Sequence, residues 1–198
     1  MIKVENIEVF NLNGAIRGMR NPLESWDKSD SSNKDGVFII GPNDLSLALK
    51  LVKAGTDHSK FLRQIFVCFD ITAPDYWWKE EATYKIGTVE NSTSTMHHIT
   101  SRPLTTEDFS WDVITDYKIA TLDYLNKMIE WYKADKNPII WRDIIQMLPM
   151  SFNYTRTFTA NYAVLRNMYG SRRLHKLQEW RDFCSVITTL PYSELITA

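Results

Sequence analysis

LPMSFNYTRTFTANYAVLRNMYGSRR, residues 148–173, is the most informative part of the sequence. Apolar and polar side chains alternate over residues 151–160, which predicts a β-strand. The residues that follow, 161–170, have the periodicity of a helix, and residues 172–187 predict a second helix. A strand followed by two closing helices is therefore expected at this end of the chain.

Polar side chains recur through these two helices. His175 and Gln178 are three residues apart, so we expect them to share a helical face. Arg172 lies just before them, and its planar guanidinium suits a phosphate, a carboxylate or the imide edge of a base. An ordinary solvated helix face is the alternative interpretation.

Secondary structure is predicted in the same way for the earlier part of the chain. The predicted strands cover residues 2–10 and 64–72. The predicted helices cover residues 42–55, 74–85, 111–135 and 139–147.

Residues 14–36 mix glycine, proline, serine and charge with a few large apolar side chains. This composition predicts a long ordered loop that covers or lines a site, and a partly disordered surface loop is the alternative. Its cationic and aromatic side chains would offer positive charge and a stacking surface to a base or pterin. These side chains are Arg17, Arg20, Trp26 and Lys28.

Length and composition predict one compact domain over residues 1–198. The chain is 44% apolar and 13% aromatic, which is sufficient for a sizeable core. Its 23 basic and 24 acidic side chains give a net charge of −1, which argues against the broad basic surface that nucleic-acid binding requires. A small anionic ligand held by a few arginines remains compatible with this balance.

Cysteine and histidine are too sparse to predict a metal site. Cys68 and Cys184 stand far apart in apolar runs, and the adjacent His97 and His98 point in divergent directions on a helix or strand. Two structural thiols are expected in a reducing compartment. With no apolar run of about 18 residues and no signal-peptide pattern, we expect a cytoplasmic protein without a membrane span.

The C-terminal half resembles the flavin-dependent thymidylate synthases. In that family a Leu-Pro precedes a Tyr-Thr strand, an Asn-led helix, a second Asn six residues later and a substrate-binding Arg five residues beyond. This sequence has Leu148-Pro149, Tyr154-Thr155, Asn161, Asn167 and Arg172 at the same spacing.

The resemblance continues into the first half of the chain. His58, Ser59 and the strand ending in Phe69-Asp70 are similar to the family's Gly-His-x-Ser and Phe-x-Phe-Glu segments. The family's Arg-His-Arg, seven further residues and a Ser fall on Tyr84-Lys85-Ile86 and Ser94. The stretch YKIGTVENSTSTMHH, residues 84–98, is thus placed at the family's nucleotide and flavin motif, with its arginines replaced.

The resemblance implies an α+β fold with a central mixed or antiparallel sheet flanked by helices. It implies an enzyme, a methyltransferase that moves a one-carbon unit from methylenetetrahydrofolate to C5 of dUMP and so makes dTMP. FAD is the implied cofactor and NADPH the reductant. The family assembles as a homotetramer with active sites between subunits, so the partners expected are a small nucleotide and further copies of the chain, with neither nucleic acid nor membrane.

The resemblance also assigns roles to individual residues. Arg172 and Ser94 are the implied catalytic residues, Arg172 at the pyrimidine edge and Ser94 at the phosphate. The implied substrate-binding residues are Tyr84, Lys85, Ser92, Ser94, Arg142 and Arg172. The implied cofactor-binding residues are Ser59, Tyr84, Lys85, Asn161 and Asn167. No metal ligand is implied.

Two alternatives follow from the altered Tyr84-Lys85-Ile86 triplet. The first is a pyrimidine nucleotide hydroxymethylase that transfers the folate-derived carbon without a flavin. The second is a non-catalytic nucleotide-binding or scaffold protein that has the fold and lacks the chemistry.

Overall fold

The structure, a computed structural model, describes residues 2–198 and has an α+β fold in which antiparallel sheets are flanked by helices, as predicted. The strands among the described residues are β1 (Lys3–Phe10), β2 (Ser32–Lys34), β3 (Val37–Ile39), β4 (Phe66–Pro74), β5 (Val89–Ser92) and β6 (Asn153–Asn161). The helices up to residue 98 are α1 (Leu12–Met19), α2 (Pro42–Lys53), α3 (Asp75–Glu81) and α4 (Thr95–His98). The later helices are α5 (Asp116–Asp135), α6 (Pro138–Gln146), α7 (Tyr162–Arg172), α8 (Gln178–Ile187) and α9 (Glu194–Thr197).

Four strands form one sheet in the order β1-β4-β6-β5. The remaining two form an antiparallel hairpin in which Ser32 pairs with Ile39 and Lys34 with Val37. Its turn is Asp35-Gly36, with φ of 50° and 80°. Positive φ at both central residues is the geometry that Asp-Gly favours between hairpin strands.

The loop predicted over residues 14–36 is therefore wrong at both ends. Helix α1 occupies its start, although Gly14 and Gly18 lower helix propensity, because Ala15, Ile16 and Met19 are buried and tertiary packing outweighs the propensity. The β2–β3 hairpin occupies its end. The Asp-Gly turn was the sequence signal for that hairpin.

Several helix boundaries differ from the predicted ones. Helix α5 begins at Asp116 rather than at 111, and α3 ends at Glu81. Helix α8 begins at Gln178, so His175 precedes it, and the predicted shared helical face of these two residues is wrong. Helix α7 begins where predicted because Asn161 Oδ1 accepts a hydrogen bond from the amide of Val164 at 3.1 Å.

The chain divides into two compact units, which we describe separately. The first unit contains Ile71–Thr83 and Asn91–Arg156, with residues 2–3. The second unit contains Val4–Asp70, Tyr84–Glu90 and Thr157–Ala198. The single domain expected over residues 1–198 stays a prediction.

The core of the first unit lies between α5, α6 and the segment that precedes α5. Leu125, Ile129 and Ile144 are almost fully buried there. Phe109 stacks on Trp111 with ring centroids 4.5 Å apart, and Phe152 meets Phe109 edge-on at 5.7 Å. Phe109 belongs to the same buried cluster as Leu125, Ile129 and Ile144, so the irregular segment packs against the two helices.

The core of the second unit is aromatic. Phe69 of β4 lies 6.4 Å from Phe158 of β6 and 5.7 Å from Phe183 of α8. Trp180 of α8 is fully buried beside Phe183, at 6.2 Å between ring centroids. This packing fixes α8, and with it the end of α7, against the sheet.

Within residues 2–198, no helix is both long and apolar enough to cross a membrane.

Candidate functional site

The second unit contains a cavity of about 920 Å³ that extends along α7 from its first turn to its last. Helix α7, the residues after Tyr84, the turn at Thr56 and the C-terminal residues 196–198 line it. A volume of this size is in the range of cofactor and ligand pockets. We call it the α7 cavity.

Gly87 and Asn161 meet at the wall of the α7 cavity. A Cβ atom at Gly87 would stand 2.8 Å from Asn161 Nδ2, and Gly87 has a φ of +82°. Only glycine allows this close approach without strain. Asn161 is buried, and its Oδ1 caps α7, so its amide group faces the glycine while its oxygen stabilises the helix.

Three arginines line the α7 cavity with Asn167, namely Arg63, Arg166 and Arg173. Arg173 donates to the carbonyl of Gly170 at 2.7 Å, and Arg166 donates to the carbonyls of Ile196, at 3.2 Å, and Ala198. Among the lining residues that the structure describes, there is no Asp or Glu. The lining therefore favours an anionic ligand such as a phosphate.

The predicted cofactor-binding residues are only partly gathered at this cavity. Asn161 and Asn167 line it, and Lys85 is exposed next to Ile86, which also lines it. Ser59 does not line it: its Oγ donates to the carbonyl of Gly55 at 2.9 Å and closes a turn.

Arg172 lies at the end of α7 between two aromatic rings. Its Nε donates to the hydroxyl of Tyr84 at 3.0 Å, and its Cζ lies 4.9 Å from the Trp180 ring centroid. The two predicted site residues Tyr84 and Arg172 are thus in direct contact. Trp180 reaches Arg172 from α8, and no signal in the sequence singled it out.

Cys184 is buried and lies close enough to Arg172 and Arg173 to interact with their charges. Burial raises the pKa of its thiol to about 11, although Arg173 and Arg172 act in the opposite direction. The thiol is therefore protonated at neutral pH. The chemistry implied by the sequence resemblance needs no cysteine nucleophile.

The first unit has its own cavity, of about 360 Å³, and Ser94 lines it. Hydroxyl side chains dominate the wall, with those of Thr72 and Thr155 2.7 Å apart. Arg102 also lines this cavity and pairs with Asp108 at 2.5 Å. Burial acts to raise the pKa of Asp108, but the bonds from Arg102 and the Thr105 amide outweigh it and lower that pKa.

Two other predicted substrate-binding residues also belong to the first unit. Ser92 is exposed at the end of β5, and its Oγ donates to the carbonyl of Thr93 at 3.0 Å. Arg142 is exposed on α6 and does not line the cavity that contains Ser94.

Arg20, expected to provide a cation to a ligand, is structural. It is buried, and its Nε lies 2.6 Å from Oδ1 of Asp44. The hydroxyls of Ser29 and Ser31 donate to the other oxygen of Asp44, at 2.6 and 2.5 Å. This network ties the segment after α1 to α2. Trp26 remains about half exposed, and its indole donates to the side chain of Asn21 at 2.9 Å.

Within residues 2–198, no group of three or more His, Cys, Asp or Glu side chains is placed to hold a metal ion.

Solved structures provide the comparison. The chain superposes on the flavin-dependent thymidylate synthase ThyX of Helicobacter pylori complexed with FAD and dUMP, with a TM-score of 0.75, 18% identity and 98% of each chain covered. A second structure of that enzyme with FAD and dUMP gives a TM-score of 0.74 at 15% identity over 100% of each chain. The UMP/dUMP methylase PolB of Streptomyces cacaoi, bound with 5-Br dUMP, gives 0.63 at 15% identity, over 96% of this chain and 89% of that one.

No protein-family model matches the sequence, and neither does any curated protein. At 15–18% identity the likeness to solved structures shows the fold. The chain therefore has the fold of the flavin-dependent thymidylate synthases, and the resemblance found in its sequence is confirmed at that level.

Proposed function

We propose that this chain is a divergent enzyme of the flavin-dependent thymidylate synthase kind, which methylates C5 of a pyrimidine nucleotide and converts dUMP to dTMP. One observation carries the proposal. The asparagines predicted from the sequence line a cavity with three arginines, in a fold shared with enzymes solved with FAD and dUMP.

The donor set of the α7 cavity fits FAD. Arg63 and Arg173 supply positive charge for a diphosphate, and Asn167 supplies an amide. Gly87 keeps the wall beside Asn161 free of a side chain. Ser59 and Lys85 retain the cofactor-binding roles proposed for them, Ser59 through the turn that carries Thr56.

The proposed reaction conserves atoms and electrons. The methylene group of methylenetetrahydrofolate forms a carbon–carbon bond to C5 of dUMP, the C5 hydrogen leaves as a proton, and tetrahydrofolate leaves. Bound FAD, reduced by NADPH, supplies the hydride that completes the methyl group.

The chain's own residues bind and orient the nucleotide in this proposal. Arg172 binds the O2/N3 edge of the pyrimidine and stabilises the negative charge that develops in the ring. Ser94 and Ser92 keep the proposed role of donating hydroxyl hydrogen bonds to the phosphate, and Arg142 that of adding positive charge; since the family builds its active sites between subunits, these residues and Arg172 can come from different copies of the chain. We expect a homotetramer in the cytoplasm to complete the site, as the family's assembly implies.

An absorption spectrum tests the proposal. The purified protein is titrated with FAD and then with dUMP, and the same titration is made with the Arg173→Ala variant and with Lys127→Ala, an exposed residue of α5. We expect a protein-bound flavin spectrum that changes on adding dUMP, with FAD bound about tenfold more weakly by Arg173→Ala and unchanged by Lys127→Ala. A protein that binds neither FAD nor dUMP contradicts the proposal.

The hydroxymethylase alternative has one observation in its favour. Ile86, which takes the place of an arginine in the family's triplet, is 90% exposed and lines the α7 cavity. An apolar side chain there gives no charge to stabilise an anionic reduced flavin. Nucleotide product that carries a hydroxymethyl group, made without FAD, would support this alternative.

A further inference from the structure

Arg172, Tyr84 and Trp180 form one group of cation–π and edge-on ring contacts, which we call the arginine clamp. The guanidinium carbon of Arg172 lies 4.9 Å from the Trp180 ring centroid and 5.6 Å from the Tyr84 ring centroid. The two rings are 6.0 Å apart with an interplanar angle of 61°. A hydrogen bond of 3.0 Å from Arg172 Nε to the Tyr84 hydroxyl adds a directional contact to these cation–π contacts.

Each member of the clamp is fixed by a different part of the second unit. Trp180 is fully buried against Phe183. Arg172 is the last residue of α7, so its backbone is fixed by that helix. The carbonyl of Tyr84 accepts a hydrogen bond of 2.6 Å from the Thr88 hydroxyl, which restrains the segment before β5. The clamp therefore holds one side chain from three directions.

We propose that Tyr84 is a positioning residue, which holds the guanidinium of Arg172 in the orientation that binds the pyrimidine edge. This rests on the proposed function. The Tyr84 hydroxyl fixes the plane of the guanidinium through Nε, and a planar O2/N3 edge binds in that plane. An arginine held in one rotamer loses less side-chain entropy when it binds.

This role differs from the one that the sequence suggested for Tyr84. Counting residues placed the tyrosine where the family has an arginine, so it was expected to contact substrate or cofactor itself. The contacts in the structure give it a different partner, since its hydroxyl accepts from Arg172. In this proposal Tyr84 stands where the family has an arginine, and it orients the cation that remains, Arg172.

Ligand affinities test the role. Calorimetry with dUMP and with FAD is carried out on the wild type, Tyr84→Phe, Tyr84→Leu and, as a control in the first unit, Tyr124→Phe. We expect Tyr84→Phe to weaken dUMP binding about tenfold, as loss of a hydrogen bond to a charged group does. Tyr84→Leu weakens it further because the stacking is also lost, whereas FAD affinity changes less than twofold in Tyr84→Phe.

An NMR measurement tests the clamp without any ligand. The Nε–H signal of Arg172 is assigned by its loss in Arg172→Lys, and its exchange with solvent is compared with that of the exposed Arg17. We expect slow exchange in the wild type and at least tenfold faster exchange in Tyr84→Phe, with the thermal unfolding midpoint unchanged. Exchange as fast as that of Arg17 in the wild type overturns the clamp.

The outcomes separate the two proposals. If the wild type does not bind dUMP, the proposed function fails and this role fails with it. If the wild type binds dUMP and Tyr84→Phe binds it equally well, the positioning role alone is overturned. Equal losses of FAD and dUMP affinity in Tyr84→Phe also overturn it, because they indicate a general disturbance of the unit.

Discussion

Arg20 and Asp44 form a buried ion pair, with Arg20 Nε 2.6 Å from Asp44 Oδ1 and side chains only 5% and 0% exposed. Ser29 and Ser31 complete the hydrogen bonding of the carboxylate. A buried charge that loses its partner is strongly unfavourable. The pair thus fixes the segment between α1 and β2 to α2.

Removing the carboxylate should therefore destabilise the protein. We expect Asp44→Ala to lower the free energy of unfolding by about 3–5 kcal/mol, measured by urea denaturation. The control is Lys79→Ala, which breaks the exposed pair of Lys79 and Asp75 and should cost no more than about 0.5 kcal/mol. Equal, small losses in both variants would show that the buried pair does not hold this segment.

The same carboxylate should make stability depend on acid pH. Burial acts to raise the pKa of Asp44, but hydrogen bonds from Ser29, Ser31 and Arg20 outweigh it, so the pKa is lowered from 3.8. A lowered folded-state pKa contributes stability that is complete above the unfolded-state pKa and is lost as the pH falls through the folded-state value. Urea midpoints should thus fall below about pH 4. In Asp44→Asn the urea midpoint should fall less as the pH is lowered. A pH dependence equal to that of the wild type would show that Asp44 is not its source.

Gly87 should not tolerate a side chain. In Gly87→Ala the new Cβ would lie 2.8 Å from Asn161 Nδ2 at a φ of +82°, whereas Gly36→Ala has a similar φ of +80° with nothing within 4 Å. Both variants pay for a positive φ, on the order of 1 kcal/mol. We expect Gly87→Ala to lose at least about 1 kcal/mol more in urea denaturation, and equal losses would show that the wall has room there.

Asn161 has a structural and a proposed ligand role, and two substitutions separate them. Asn161→Ala removes the cap of α7 and should lower the free energy of unfolding by about 1 kcal/mol. Asn161→Asp keeps the capping oxygen and loses the Nδ2 donor, so it should retain stability while FAD binds more weakly in a fluorescence titration. If Asn161→Asp binds FAD as the wild type does, Asn161 acts only as a cap.

The sequence predicted the elements that have strong local signals. Pattern and caps located β4, α2, β6 and α7, and the counted spacing brought Asn161 and Asn167 to one cavity. Prediction from the sequence failed where tertiary packing outweighed helix propensity, as in α1. It also failed where a helix began later than its periodicity indicated, as in α8.

Of the residues that line the α7 cavity, the family spacing pointed to Asn161 and Asn167 but not to the arginines. Arg63 and Arg173 carry no spacing signal, since only the fold brings the 3₁₀ helix Lys60–Gln64 near the end of α7. Trp180 was missed for the same reason. Arg20 was misassigned because a buried partner, Asp44, cannot be read from composition.

The central claim is tested most directly by identifying the product made from dUMP. The purified protein is incubated with dUMP, methylenetetrahydrofolate labelled in its methylene carbon, FAD and NADPH, and the nucleotides are analysed by mass spectrometry. We predict dTMP with the label in its C5 methyl group, formed only when FAD is present and lost in Arg172→Ala. Unchanged dUMP, or labelled hydroxymethyl nucleotide formed without FAD, would contradict the claim.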